Sequence, residues 1–464
     1  MNTAVLHPTP RSDASVLCVV VLVAAACVLA LVKAPTAAWV VAGSSVILIG
    51  LEWQRIPRQQ ACLSAGAAAV GLMLMPFVDH PLVRLSEGLG IGSTFVALMA
   101  SVSLLAGAAR RSPAIHGVAQ HLLGRDSRQG ELSLVVAAHL FPALLNFAGS
   151  VLLCEMAAAN AGAQAAVSGG WNRAVFGAIH RGFAAAACWS PMFGNLALLL
   201  TLYPGLDWPD IAPFGLAAGL LCSLTSLAVG PSRRPTAGRQ SGVLQEVISL
   251  GHLLAPLLVG MGVFLSASLL LHHALSFSVA VAIIMLAPVF GMMWHCIDAG
   301  SLTAAAERLR DDARASLPRM APEALFFACI GIMASMIGGA VPVERVADAV
   351  QPLVGSPALG ILFLLTCNLV LSLLGIHPVM TALFLATALP PSAIGLAPLP
   401  HILAITVGYS IAFSVSPFTI LATVIARYSQ GHSFQVSWQW NRAFAGLMLL
   451  LGFSLLWLLS FALG

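Results

Sequence analysis

Apolar residues run along this chain in blocks long enough to cross a bilayer, separated by short polar punctuation. The blocks fall at 14–32, 38–51, 61–77, 92–109, 132–159, 174–202, 214–229, 244–271, 276–293, 324–341, 357–389, 401–426 and 444–463. Four of them are interrupted in the middle. The stretch 409–428, YSIAFSVSPFTILATVIARY, carries Ser414, Ser416, Pro417 and Thr419 at its centre. Proline lacks the N–H that continues a helix, so a broken transmembrane helix is predicted. Ser190-Pro191 repeats the device in 174–202. The block 132–159 holds Pro142, Asn146, Gly149 and Ser150, and 357–390 is broken at Gly375-Ile376-His377-Pro378. These two blocks predict hairpins that enter the bilayer and return.

Charge placement decides between simple crossings and hairpins. If every block crosses, Arg173, Arg233, Arg234 and Arg239 fall outside, against the positive-inside rule. With 132–159 as a hairpin they fall inside, together with Arg55, Arg58, Arg110, Arg111 and the charged loop 298–323. Alternating signs in that loop suggest a short surface helix. With 357–390 as a second hairpin, Arg427 and Arg442 are also inside. The two halves then have the same order of elements in opposite orientation, as secondary carriers do. The expected fold is an all-α polytopic membrane protein of two inverted-topology repeats, with eleven spans and two re-entrant hairpins. Residues 1–34 form an extra N-terminal transmembrane helix, expected to remain uncleaved, with a cytoplasmic N-terminus in a bacterial inner membrane. The first repeat is 35–230 (hairpin 132–159, broken helix 174–202). The second is 231–464 (hairpin 357–390, broken helix 401–427).

Composition agrees. Of 464 residues, 59% are hydrophobic and 8% charged, with mean hydropathy +0.95, which excludes an ordinary soluble domain. The net charge of +4 is explained by inner loops and calls for no nucleic-acid partner. Nine cysteines form no CxxC pair and read as apolar filler rather than metal ligands or disulfides. Walker A, HExxH and GxSxG motifs are absent, so no enzyme is expected and no cofactor.

With hairpins and broken helices in both halves, the chain resembles the ion transporter superfamily, which includes the divalent anion/sodium symporters and the large membrane subunit of tripartite dicarboxylate transporters. GIHPVM at 375–380 and SPF at 416–418 are similar to the second-half tip and broken helix of that group. Where the symporters carry Ser-Asn-Thr at each tip, this chain has Asn146-Phe147-Ala148-Gly149 and Gly375-Ile376-His377-Pro378. The resemblance implies a homodimer with elevator-type movement, and for the tripartite group a periplasmic binding protein.

Broken helices free carbonyls that hold coupling ions and solutes at the midplane. The candidate substrate- or ion-binding residues are Asn146, Ser150, Ser190, Asn195, Asn368, His377, Thr381, Ser414, Ser416 and Thr419. Each also has a structural reading, as an interhelical hydrogen bond or, for His377, a cap on broken backbone. Na⁺ is the only metal considered, at Asn146, Ser190 and Ser416. Sparse intramembrane acids favour Na⁺ over H⁺ coupling, with Glu155 and His139 as the proton-relay candidates. No arginine is expected in a hairpin or the centre of a broken span, which favours a small carboxylate-like organic anion over a multivalent one. The function expected is a secondary active transporter of such an anion. Alternatives are a permease subunit, a channel or a membrane-embedded enzyme.

Overall fold

The computed structural model describes residues 10–32, 35–113, 115–117, 128–160, 169–230 and 243–463. The topological markers Arg125, Arg233, Arg234 and Arg239 lie outside the described residues. Nineteen α-helices follow in order: α1 Pro10–Val32, α2 Pro35–Glu52, α3 Arg58–Leu74, α4 Pro81–Arg111, α5 Arg128–Leu145, α6 Phe147–Asn160, α7 Gly169–Ala187, α8 Gly194–Leu200, α9 Trp208–Val229 and α10 Val243–Leu275. After them come α11 Val279–Ala299, α12 Leu302–Ser316, α13 Ala321–Ala340, α14 Val343–Val350, α15 Pro357–Leu373, α16 Pro378–Ala388, α17 Pro398–Val415, α18 Ile420–Tyr428 and α19 Trp440–Leu463. The described residues contain no strand.

Among the described residues, nine helical stretches are long and apolar enough to cross a membrane. Exposed Val46, Met73, Leu224 and Leu270 present the apolar surface that lipid requires. Two expected crossings are not among the nine. They are α2 and α7; α7 carries Asn172, Arg173, His180 and Arg181, which lower its hydropathy. The protein is a multi-pass membrane protein.

The chain divides into two compact units, residues 1–111 with 267–340, and 112–266 with 341–464. Each draws on both halves of the sequence. In the first unit, α13 packs on α3 and α4, and α11 packs on α4. Asp312 of α12 is buried there. It accepts from Arg111 Nε at 2.9 Å and pairs with His295 Nε2 at 2.9 Å. The alternating charges of 307–319 do form a helix, but Asp312 is not solvated: a buried carboxylate persists because two partners satisfy both oxygens.

Each expected hairpin and each expected break lies in the second unit. The first hairpin is α5–α6 and the second α15–α16. The first broken helix is α7–α8 and the second α17–α18. Proline opens α15, α16 and α17, where its missing N–H costs nothing.

Candidate functional site

The two hairpins turn on left-handed residues. Asn146 has φ +52° and Gly375 φ +106°. Asparagine tolerates that region, and glycine enters it freely. Asn146 is almost completely buried. Its Oδ1 accepts from Phe147 N–H at 2.6 Å, and its Nδ2 donates to the Met192 carbonyl at 2.7 Å. The tip of the first hairpin is thereby fastened to the first break. The arms then run so close that a Cβ on Gly149 would overlap the Phe141 carbonyl.

The serines of the two Ser-Pro pairs make the same bonds. Ser190 Oγ donates to the Ala143 carbonyl at 2.6 Å and accepts from Met192 N–H at 3.2 Å. Ser416 Oγ donates to the Ser372 carbonyl at 3.1 Å and accepts from Phe418 N–H at 3.4 Å. Each hydroxyl latches a broken helix to the end of its own hairpin's first arm. It also takes up an N–H that the break sets free, as a buried backbone donor requires. Each oxygen keeps one lone pair for a further contact.

Around the second break the remaining candidates are all hydrogen-bonded, two of them to each other and the rest to backbone. Thr381 Oγ1 donates to Asn368 Oδ1 at 2.6 Å and lies 3.4 Å from Ser372 Oγ. Asn368 Nδ2 donates to the Ile405 carbonyl at 3.4 Å. His377 caps α16, its Nδ1 accepting from Val379 N–H at 3.3 Å. Thr419 caps α18, accepting from Ala422 N–H at 3.2 Å. Ser414 Oγ donates back to the Ile411 carbonyl at 2.7 Å, while its own carbonyl accepts from Asn441 Nδ2 at 3.2 Å. The middle of 409–428 thus meets the second hairpin.

The first break differs. Ser150 Oγ and both amide atoms of Asn195 are buried and make no hydrogen bond among the described residues. Ser150 is the fourth residue of α6, and Asn195 the second of α8. Short α8 packs against α16 and α17, so the first break adjoins the second hairpin and helix. A ring stack reinforces this. Phe183 lies 4.7 Å from Phe193 at the first break and 4.6 Å from Phe413 near the second, centroid to centroid. The ten candidates thus occupy one region as two hairpin-and-break pairs.

The proton-relay candidates are engaged elsewhere. His139 Nε2 accepts from Trp189 Nε1 at 2.8 Å and Nδ1 sits 2.9 Å from Ser223 Oγ. Glu155 accepts from the Tyr428 hydroxyl at 3.2 Å in an exposed contact. The expectation that the broken spans lack a central arginine is corrected by Arg181. It lies inside α7 at 2% exposure and bonds to Ser226 and Asn441. Its position inside an apolar block, next to His180, was the available signal.

Two hairpins latched to two broken helices define a membrane-transporter fold. Among solved structures, the crystal structure of the Alcanivorax borkumensis YdaH transporter matches with a TM-score of 0.50 and 16% identity, over 86% of this chain and 97% of that one. Neisseria gonorrhoeae MtrF, from a class of antimetabolite efflux pumps, matches with a TM-score of 0.45 and 15% identity, over 83% and 84%. At 16% identity the YdaH likeness is one of fold alone, and it does not show the divalent anion/sodium symporter kinship that the sequence suggested. No protein-family model matches the chain, and no curated protein sequence does.

Proposed function

We propose that this protein is a secondary active carrier that moves a small organic anion across the bacterial inner membrane, coupled to Na⁺ or H⁺. The observation that carries the proposal is the set of unpaired polar atoms at Asn195 and Ser150, buried in a unit whose other candidates are bonded. An unsatisfied buried amide costs about 1–3 kcal/mol. A ligand that supplied its missing bonds would offset that cost. The amide and hydroxyl oxygens suit a hard cation such as Na⁺, and the amide N–H₂ suits a carboxylate. Ser190, Ser416 and Asn146 keep the breaks in register, and through their remaining lone pairs the two serines extend the same site.

The two latched pairs support inverted repeats, with the second unit as the moving body of an elevator and a homodimer as its frame. The cytoplasmic N-terminus follows from the charge rule. A permease subunit working with a periplasmic binding protein would use the same site.

Proteoliposome uptake of an organic-acid library, under an imposed Na⁺ or proton gradient, tests the proposal. The expected result is accumulation of at least one monocarboxylate driven by one of the gradients. Failure of every organic acid to accumulate under both gradients would reject the carrier reading.

A further inference from the structure

Among the described residues, Glu52, Asp312 and Arg181 are charged residues that are buried as a whole. Two of them have counter-ions. Glu52 pairs with Arg55 at 3.2 Å and Asp312 with Arg111 at 2.9 Å. Arg181 has none within ion-pair distance among the described residues. Its Nε donates to Ser226 Oγ at 2.7 Å and its Nη1 to Asn441 Oδ1 at 3.0 Å, both neutral acceptors. Its Nη2 has no hydrogen-bond partner among the described residues. Glu131 and Arg173, opposite in sign, are among the charges near it.

The surroundings connect this charge to the second break. Asn441 is buried just after the π-helical turn Gln435–Gln439, an irregularity that recurs at functional sites. Its Nδ2 donates to the carbonyls of Val436 at 2.8 Å and Ser414 at 3.2 Å. His180 Nδ1 lies 3.3 Å from the same nitrogen, and His180 Nε2 is buried without a hydrogen bond. A lone guanidinium inside a membrane protein is costly, and such charges mark solute pathways or await a partner.

We propose that Arg181 is the resident positive charge of an anion site, completed by a small oxyanion such as a carboxylate that binds the open edge of its guanidinium. Identifying that oxyanion with the transported solute rests on the carrier reading; the anion site itself does not. The competing role is a strut in which Arg181 ties α7 to α9 and α19.

The test is thermal unfolding of the purified full-length protein in sodium formate against sodium chloride at equal ionic strength. Formate should raise the wild-type melting temperature by several degrees more than chloride. Arg181→Gln should lose that increment. Ser226→Asp, which places a carboxylate beside Arg181, should lose it too and melt above wild type without formate. Ser226→Ala, which removes one hydrogen bond and adds no charge, should keep it. If Arg181→Gln fails to fold, the two Ser226 variants decide. No formate increment in wild type, or an equal one in Ser226→Asp, overturns the anion site. A formate response without uptake of any organic acid would sink the carrier reading and leave this assignment standing.

Discussion

The two hairpin-and-break pairs share their latches and differ in what the latches leave open. Counted back from the carbonyl that receives the serine, position four is His139 in the first repeat and Asn368 in the second. Asn368 turns to its own hairpin and binds Thr381, the fourth residue of α16. His139 turns away to Trp189, so Ser150, the fourth residue of α6, is left with no partner. Five residues after the latch serine, the first repeat has Asn195 and the second has buried Leu421. The second break is internally satisfied and the first presents free polar atoms. Inverted repeats therefore preserve the mechanical parts, while the ligand-seeking atoms on this face belong to one repeat.

Removing the latches should have the largest effect on this symmetry. Ser190→Ala and Ser416→Ala each leave a buried carbonyl and a backbone N–H without that hydroxyl. Each should cost about 1–3 kcal/mol of stability, and the two losses should agree within about 0.5 kcal/mol. Thermal or denaturant unfolding checks this, and a loss confined to one serine would break the equivalence. Asn146→Gly keeps the left-handed turn but deletes the bond to Met192, for about 1 kcal/mol. No loss there would show that the first tip is held by something else. The smallest effect is expected at His377. Asparagine is a good helix cap, so His377→Asn should change stability by only a few tenths of a kcal/mol. A tenfold fall in uptake with unchanged melting would mean that the second tip also touches solute.

The hairpins and breaks were legible in the sequence because prolines, glycine and hydroxyls stand out in otherwise apolar runs. Their boundaries followed closely, since Pro357, Pro378 and Pro398 each open a helix. Which candidates would remain free was not legible. Ser150 and Thr381 are the same kind of residue at the same place, and only the direction taken by His139 and Asn368 separates them. That choice depends on Trp189 and on packing across the fold. The role of Arg181 was not legible either. Charge rules sort arginines by the loops they flank, whereas its neutral partners Ser226 and Asn441 come from distant segments. Asp312 likewise looked like part of a solvated helix until Arg111 and His295 closed on it.

The most direct test of the asymmetry compares Asn195→Leu with Thr381→Val, measuring melting temperature and proteoliposome uptake for both. Asn195→Leu exchanges an unsatisfied amide for an apolar side chain of similar size. It should melt at or above wild type and lose at least about a hundredfold in uptake, the scale of two or more lost hydrogen bonds. Thr381→Val leaves Asn368 without a donor, so it should melt lower and keep uptake within about tenfold. The reverse pattern, with Asn195→Leu active but destabilised and Thr381→Val stable but inactive, would place the ligand at the second break and contradict the division between the repeats.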